Sequence, residues 1–407
     1  MKIPIYAKLI AAVTAVAVVP FAVTSILSDP PDMSRLMAAA ITFTSQSGYT
    51  TEPIDFGGSN LILYKPSPQE PSEETAASET TTEPPSEITE ETTSLTTEEQ
   101  APPTELTEEQ PTTSEPTPST YIITQNISPD EEDLTVFSSR DGVVEEMTFH
   151  AGEGANFLDL PGGAQVRNCT ELDNDFVAEQ MEILPDIRID LFSQEPQVLI
   201  MHTHTSESYL VDDSGYYDND YTSRTTDASQ SVVAVGQRIA EKLAENGICV
   251  IHDGTLHDYP YFDGAYARSQ DTVKQILAAY PSVKVVLDIH RDGIEESDGT
   301  RVAAVTEING REAAQIMIIS AANDDYYDVP NYLENFHFAC LLQSSMETAN
   351  PGITRPILFQ YCQYNQHLTT GSLLIEVGSH GNTLDQALYT GELIGESIAQ
   401  ALLSLTD

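Results

Sequence analysis

The sequence predicts an α/β protein built on a mostly parallel sheet with helices on both faces, and three observations predict it. Short apolar runs, "QVLIM" (197–201), "ICVIH" (248–252), "VKVVLDIH" (283–290) and "SLLIEVG" (372–378), read as strands buried on both sides. Segments of helical period separate them, and a helical crossover returns the chain to run parallel. Each of three runs also ends in ionisable side chains, which a parallel sheet delivers to one rim, where α/β ligands gather.

The elements follow in order. Leu9–Leu27 is a nineteen-residue stretch without a charge, long enough to cross a hydrocarbon core. Lys2 and Lys8 precede it, so the N-terminus is expected in the cytoplasm and the rest outside. Residues 1–28 are therefore read as a transmembrane anchor and 29–65 as a membrane-proximal segment with a short helix. Residues 66–120 are read as a disordered spacer. From Pro66 to Pro118 there are fourteen glutamates and no Lys, Arg, Asp, Gly or aromatic residue, a composition that buries no core. Such a stretch is expected to set the distance between anchor and folded part. Residues 121–190 read as a small β-rich region ("TVFSS", the turn "RDG", "VVEEMTF") and 191–407 as the catalytic domain.

Within 191–407, "SQSVVAVGQRIAEKLAENGI" (229–248) sets Val232, Val233, Gly236, Ile239, Ala240 and Leu243 on one helical face, with Gly247 as a stop. Residues 267–281 form a second helix ended by Pro281, "AAQIMIIS" (313–320) a strand, 331–347 a helix and 382–405 a closing helix. The net charge of −47, with no basic patch, argues against nucleic acid as a partner. Cys169, Cys249, Cys340 and Cys362 lack metal-like spacing and read as core residues.

The strand ends carry the chemistry. "VLIMHTHTSESY" delivers His202 and His204 with Glu207 three residues on; "LDIHRDG" delivers His290; "LLIEVGSHGN" delivers Glu376. Two imidazoles and a carboxylate with a fourth position open to water make the donor set of a catalytic zinc. Glu376 is then the general base to that water. His204 and Glu207 suit one tight turn. His202 is the alternate to His204, or a support behind the ligands. His252, His257 and Glu307 are weaker candidates. Arg291 and Arg268 are candidates for substrate carboxylates or the oxyanion, with a structural salt bridge as the equal alternative. Asn365 and Gln366 are candidate substrate contacts, while Tyr209 and Tyr266 read as packing.

At these residues the sequence resembles the stage II sporulation protein P family, over roughly residues 195–405. The resemblance rests on "HTHTSESY", "GICVIHDGTLHDYPYFDGAYARS", "LDIHRDG" and "YNQHLTTGSLLIEVGSHGNTLDQA" taken together. It implies a membrane-anchored peptidoglycan hydrolase, distantly similar to zinc N-acetylmuramoyl-L-alanine amidases, acting in septal wall degradation and engulfment during endospore formation. It implies Zn²⁺ as cofactor, cleavage of the amide between the lactyl group of N-acetylmuramic acid and L-alanine, and cutting of peptide crosslinks. It places the domain outside the cytoplasmic membrane, in the intermembrane space of the septum, beside other engulfment proteins. Carried across, His204 or His202 is the first ligand, His290 the third and Glu376 the catalytic glutamate. The amidase pattern expects the second ligand, a glutamate, to open the helix after the first strand. Here that stretch reads "TTDASQSVV", so Glu207 takes the role with Asp227 in reserve. A metallopeptidase on another extracellular peptide and a non-catalytic wall-binding scaffold are the rival readings.

Overall fold

The computed structural model describes residues 48–54, 56, 59–67 and 140–406. The anchor expected at 1–28 and nearly all of the spacer lie outside the described residues. Among the described residues no helix is long and apolar enough to cross a membrane.

The strands are β1 (Tyr49–Ile54), β2 (Leu61–Pro66), β3 (Gly142–Met147), β4 (Phe157–Asp159), β5 (Gln165–Asn168), β6 (Val198–Met201), β7 (Tyr216–Tyr217), β8 (Val250–Asp253), β9 (Val285–Asp292), β10 (Arg301–Ile308), β11 (Arg311–Ala314), β12 (Ile316–Ala322), β13 (Ile357–Tyr361) and β14 (Ser372–Ser379). The helices are α1 (Asn174–Met181), α2 (Val232–Glu245), α3 (Ala265–Ala279), α4 (Tyr332–Ala349) and α5 (Leu384–Leu403). Ten strands form one sheet in the order β1-β2-β8-β6-β9-β14-β12-β13-β5-β4, and β11-β10-β3-β7 form a smaller one.

The middle of the large sheet, β8-β6-β9-β14, is parallel throughout. Its strands are apolar on both sides because both are covered. Val198, Ile200, Val285, Leu287 and Ile289 join a core with α2, α4 and α5, while Leu199, Met201, Ile251 and Val286 pack on Val273 and Ile276 of α3. Each large aliphatic side chain so buried stabilises by about 1.5–3 kcal/mol relative to exposure. Val232, Val235, Ile239 and Leu243 of α2 are all 0 % exposed, so packing rather than helix propensity holds that helix.

Beyond this block the sheet is mixed rather than mostly parallel, which corrects the expectation. β12 runs antiparallel to β14, and β2 antiparallel to β8. The reason is local: no helix lies between β9 and β12, so nothing obliges β12 to return in the same direction. The run "AAQIMIIS" is broken at Gln315, whose side chain accepts from Phe149 N (2.7 Å) and donates to Phe149 O (2.9 Å) and Gly352 O (2.8 Å). That buried corner separates β11 from β12.

Two other expectations change. Among the described residues of 49–66 there is no helix; they form the β1–β2 hairpin, and β2 pairs with β8. The second expectation concerns residues 140–190, which do not stand apart: β5 pairs with β13 in the large sheet and β3 with β10 in the small one. The segment read as a spacer therefore leaves and re-enters one folded unit.

Candidate active site

The site lies at the carboxyl ends of β6, β9 and β14. Thr205 Oγ1 donates to His202 O (2.8 Å) and Glu207 N to His204 O (3.0 Å), so His204 and Glu207 project from one turn. His290 and Glu376 are register partners on the parallel strands β9 and β14. The rings of His204 and His290 meet edge to face with centroids 5.3 Å apart.

Glu207 Oε2 lies 3.4 Å from His290 Nδ1. Two donors held about 2.0–2.1 Å from a tetrahedral zinc stand about 3.3 Å apart, so this spacing suits a shared ion. On the other side of the ring, Asp288 Oδ1 lies 2.9 Å from His290 Nε2, out of line for a hydrogen bond. A carboxylate behind the ring is the usual support of a metal-binding histidine. Asp288 is itself fixed by Thr203 N (2.8 Å) and Thr203 Oγ1 (2.6 Å). His204 Nδ1 and Glu376 Oε2 are enclosed and have no hydrogen-bond partner. Buried polar atoms are rarely left so, and a divalent cation with its water would satisfy both. The donor set therefore fits a metal held by His204, Glu207 and His290. The ligand atoms are not drawn as tight as a bound ion draws them. Among the described residues, the trio within 4.8 Å of one another is Glu146, Asp213 and Glu312, all exposed on the surface.

The electrostatics divide the four groups. Burial pushes His204 down to about 3. Burial alone would also lower His290, but Asp288 and Glu207 hold it well above its ordinary value. Glu207 is opposed by burial yet kept well below the carboxylate range by Arg291, His290 and His204. Glu376 goes the other way: burial first, then Asp292, push its carboxyl up to about 8. One carboxylate is thus held charged among cations while burial disfavours the charged form of the other, a divergence common at functional sites.

His202 is elsewhere. Its Nδ1 donates to Ile289 O (2.9 Å), which leaves Nε2 as acceptor for His252 Nε2–H at 3.0 Å. With both nitrogens engaged and the ring fully buried, His202 is no alternate ligand. Asp227 is no reserve ligand either; it is exposed and caps the turn ahead of α2, accepting from Ser229 N (2.9 Å). His257 Nδ1 donates to His202 O (3.0 Å) and its Nε2 bonds Thr272 Oγ1 (3.1 Å), and Glu307 is exposed opposite Glu312.

The four expected substrate contacts brace the scaffold instead. Arg291 donates through Nε to Ser208 O (3.1 Å) and through Nη2 to Ser223 O (2.9 Å), and its N–H reaches Glu207 Oε2 (3.2 Å). Arg268 clamps the carbonyls of His257 (2.5 Å), Tyr261 (2.5 Å) and Asp263 (3.0 Å). Asn365 holds Tyr266 O and Ser269 Oγ, both at 3.0 Å. Gln366 is buried and bonds Ala321 N and Ile319 O, both at 2.9 Å. A side chain whose donors are spent within the protein has little left for substrate.

Sequence reasoning missed other neighbours. Phe262 stacks on His204 at 4.5 Å, and Arg224 lies over the Phe262 ring at 4.6 Å. Arg224 also bonds Asp258 Oδ2 (2.8 Å), and Asp258 accepts from Ser206 N and Oγ (3.0 and 2.7 Å) within the His204–Glu207 turn. Tyr266 meets His204 edge-on at 5.5 Å and stacks near His290 at 6.5 Å, so it is part of the site and not only packing. Tyr209, by contrast, is buried with its hydroxyl on Val377 O. The signal for Asp288 was available, because in a strand residues two apart share a face with His290.

Fold and site together define an α/β protein with a buried histidine and carboxylate cluster at the rim of a parallel strand block. The chain belongs to the stage II sporulation protein P family, whose model matches residues 52–399. It is 29% identical over 200 residues to stage II sporulation protein P of Bacillus subtilis (strain 168), covering 46% of this chain and 47% of that one. The chain thus spans about half the length of that relative. Among solved structures it overlaps an N-acetylmuramoyl-L-alanine amidase from Clostridium difficile 630 at 16% identity and TM-score 0.31, over 52% of this chain and 97% of that one. An N-acetylmuramyl-L-alanine amidase from Mycobacterium abscessus overlaps at 14% and 0.30, over 52% and 99%. These scores are too low to carry an argument about the site.

Proposed function

We propose that the chain is a zinc-dependent peptidoglycan hydrolase that cleaves the amide between N-acetylmuramic acid and L-alanine, and peptide crosslinks, during endospore formation. We place it in the intermembrane space of the septum, held by Leu9–Leu27 and working beside other engulfment proteins. The observation that supports this most is the register pairing of His290 with Glu376 opposite the His204–Glu207 turn.

Zinc would be held by His204, Glu207 and His290, and when bound would supply Lewis-acid polarisation of the scissile carbonyl and a water acidified towards a pKa of about 7. Glu376, enclosed without a hydrogen-bond partner and in register with His290, takes a proton from the attacking water and returns it to the departing amine. Asp288 orients the His290 ring, and Arg291 and Arg224 steady the Glu207 carboxylate. Phe262 and Tyr266 shield His204 from bulk water. A wall-binding scaffold has no use for an enclosed carboxyl without a partner, which argues against that reading. The test is a digest of purified peptidoglycan with zinc-loaded protein, resolved by mass spectrometry. Stem peptides with a free N-terminal L-alanine support the amidase; fragments cut at crosslinks support the endopeptidase. No products from zinc-loaded protein would overturn the proposal.

A further inference from the structure

Two residues of the first-strand turn offer nothing to metal or substrate, yet they stand directly before its ligands: Thr203 precedes His204 and Ser206 precedes Glu207. Both are fully buried, and both make the same pair of bonds. Thr203 donates its N–H to Asp288 Oδ1 (2.8 Å) and its hydroxyl to Asp288 Oδ2 (2.6 Å). Ser206 donates its N–H to Asp258 Oδ1 (3.0 Å) and its hydroxyl to Asp258 Oδ2 (2.7 Å). A carboxylate held at both oxygens by one residue has little freedom to rotate, and such charge-assisted bonds are the strong ones. One fork ties the turn to β9, 85 residues away, and the other to the loop after β8, 52 residues away.

Both carboxylates end at the ligands. Asp288 Oδ1 lies 2.9 Å from His290 Nε2, on the side of the ring away from Glu207. Asp258 also accepts from Arg224 Nη1 (2.8 Å), and Arg224 Nη2 lies 3.8 Å from Glu207 Oε1. The backbone holds Arg224 there, since Glu207 and Arg224 face each other across an antiparallel bridge and Thr225 N donates to Ser206 O (2.8 Å). Asp258 Oδ2 stays 3.8 Å from His204 Nδ1, beyond hydrogen-bond range, which leaves that nitrogen free. Burying carboxylates is costly, and well-packed apolar residues would hold a turn as stably. What the forks add is direction.

We propose that Thr203 and Ser206 are positioning residues of the metal site: through Asp288 and Asp258 they lock the His204–Glu207 turn and the His290 ring in one geometry before a metal arrives. The inference rests on the metal reading above. Thr203–Asp288–His290 joins the neighbour of one ligand to another ligand, and Ser206–Asp258–Arg224 closes on Glu207. Donors already in place lose little freedom on binding, so the forks act on affinity for zinc and not only on stability of the fold.

The test measures zinc affinity of the full chain against a competing chelator, with His290→Ala as the blank for zinc held elsewhere, and the urea midpoint of the zinc-free chain. Ser206→Ala and Thr203→Val each weaken zinc binding about tenfold, and Asp258→Asn by up to about 100-fold, the range for groups that orient metal ligands. Thr203→Ser, which keeps the hydroxyl, binds zinc as wild type does. If Asp258→Asn misfolds by circular dichroism, Ser206→Ala, which deletes a single oxygen, decides. Lower urea midpoints with unchanged zinc affinity in the folded variants would make the forks purely structural and overturn the inference. Equal losses of affinity in Thr203→Ser and Thr203→Val would overturn it too. A wild type that takes up no zinc overturns it together with the metal reading. A wild type and variants that bind zinc in the expected order but release no wall fragments sink the hydrolase and leave the positioning role standing.

Discussion

The two histidines of "HTH", separated by Thr203, end in unlike chemistry. His202 pairs with His252 inside the fold, its ring under α2 where Gly236 leaves room; a Cβ there would come 2.6 Å from His202 Nε2. Both nitrogens of His202 have partners, and burial holds it neutral, at about 4. His204 faces His290 at the rim, among Glu207, Asp258 and Phe262, with Nδ1 enclosed and unpartnered. Residue type is the same in both pairs. What differs is whether the ring's polar atoms are satisfied by the protein itself, and only the rim pair leaves work for a metal.

The largest expected effect breaks the rim pair. His290→Ala should bring zinc content near zero and peptidoglycan hydrolysis to background, measured by metal analysis and digest on one preparation; full zinc occupancy would falsify the ligand assignment. Glu376→Gln separates base from ligand. Zinc should stay while turnover falls roughly 10²–10⁴-fold, the usual contribution of a positioned acid–base group. Loss of zinc in that variant would make Glu376 a ligand.

Breaking the inner pair should do the reverse. His202→Ala should keep zinc but lower stability by about 1–3 kcal/mol, because His252 and Ile289 O lose their partner in the interior. Urea midpoints and zinc content on the same sample check it. An unchanged midpoint with lost zinc would return His202 to the ligand set.

The inner pair also carries a pH dependence. Burial lowers His202 to about 4, and burial with His202 lowers His252 well below its ordinary value. Unfolded, both bind a proton near pH 6.5, so below that pH the unfolded chain holds more protons and stability falls with it. Zinc-free wild type should therefore lose about 2 kcal/mol from His202 between pH 7 and pH 5, and a further amount from His252, relative to His202→Leu/His252→Leu. The comparison cancels other groups, Glu376 among them, whose raised carboxyl pulls the opposite way. Equal slopes in urea unfolding at the two pH values would mean that the pair is not held neutral.

The smallest effect is expected outside both pairs. Deleting residues 70–118 should leave hydrolysis of soluble wall fragments unchanged, since β2 before it and β3 after it make their pairings without it. A large loss in that assay would give the segment a role in catalysis.

Much of the site was legible because strand ends are a local signal. An apolar run followed by ionisable residues marks His204, Glu207, His290 and Glu376 without any knowledge of neighbours. The substrate contacts were not legible. Arg291, Arg268, Asn365 and Gln366 are polar residues beside those motifs, and nothing local says that their donors end on the protein's own carbonyls. Phe262, Arg224 and Asp258 escaped for the converse reason, since a stack of ring, ring and guanidinium is assembled from separate loops.

By itself the sequence determined the parallel strand block, its helices and the chemical character of its rim, because periodicity and apolar runs are written over a few consecutive residues. Tertiary structure alone decided which histidine of "HTH" is saturated, since that depends on His252 and Ile289, 50 and 87 residues away. It alone decided that the hairpin before the acidic segment belongs to the large sheet: Asn60 N meets Thr255 Oγ1 across 195 residues. β1 reads "YTTEPI", a mostly exposed strand with a proline, and the pairing of β2 along β8 is what makes the hairpin part of the sheet. Hydrogen bonds between distant segments leave no period in either one, so they become visible only when the chain has closed on itself.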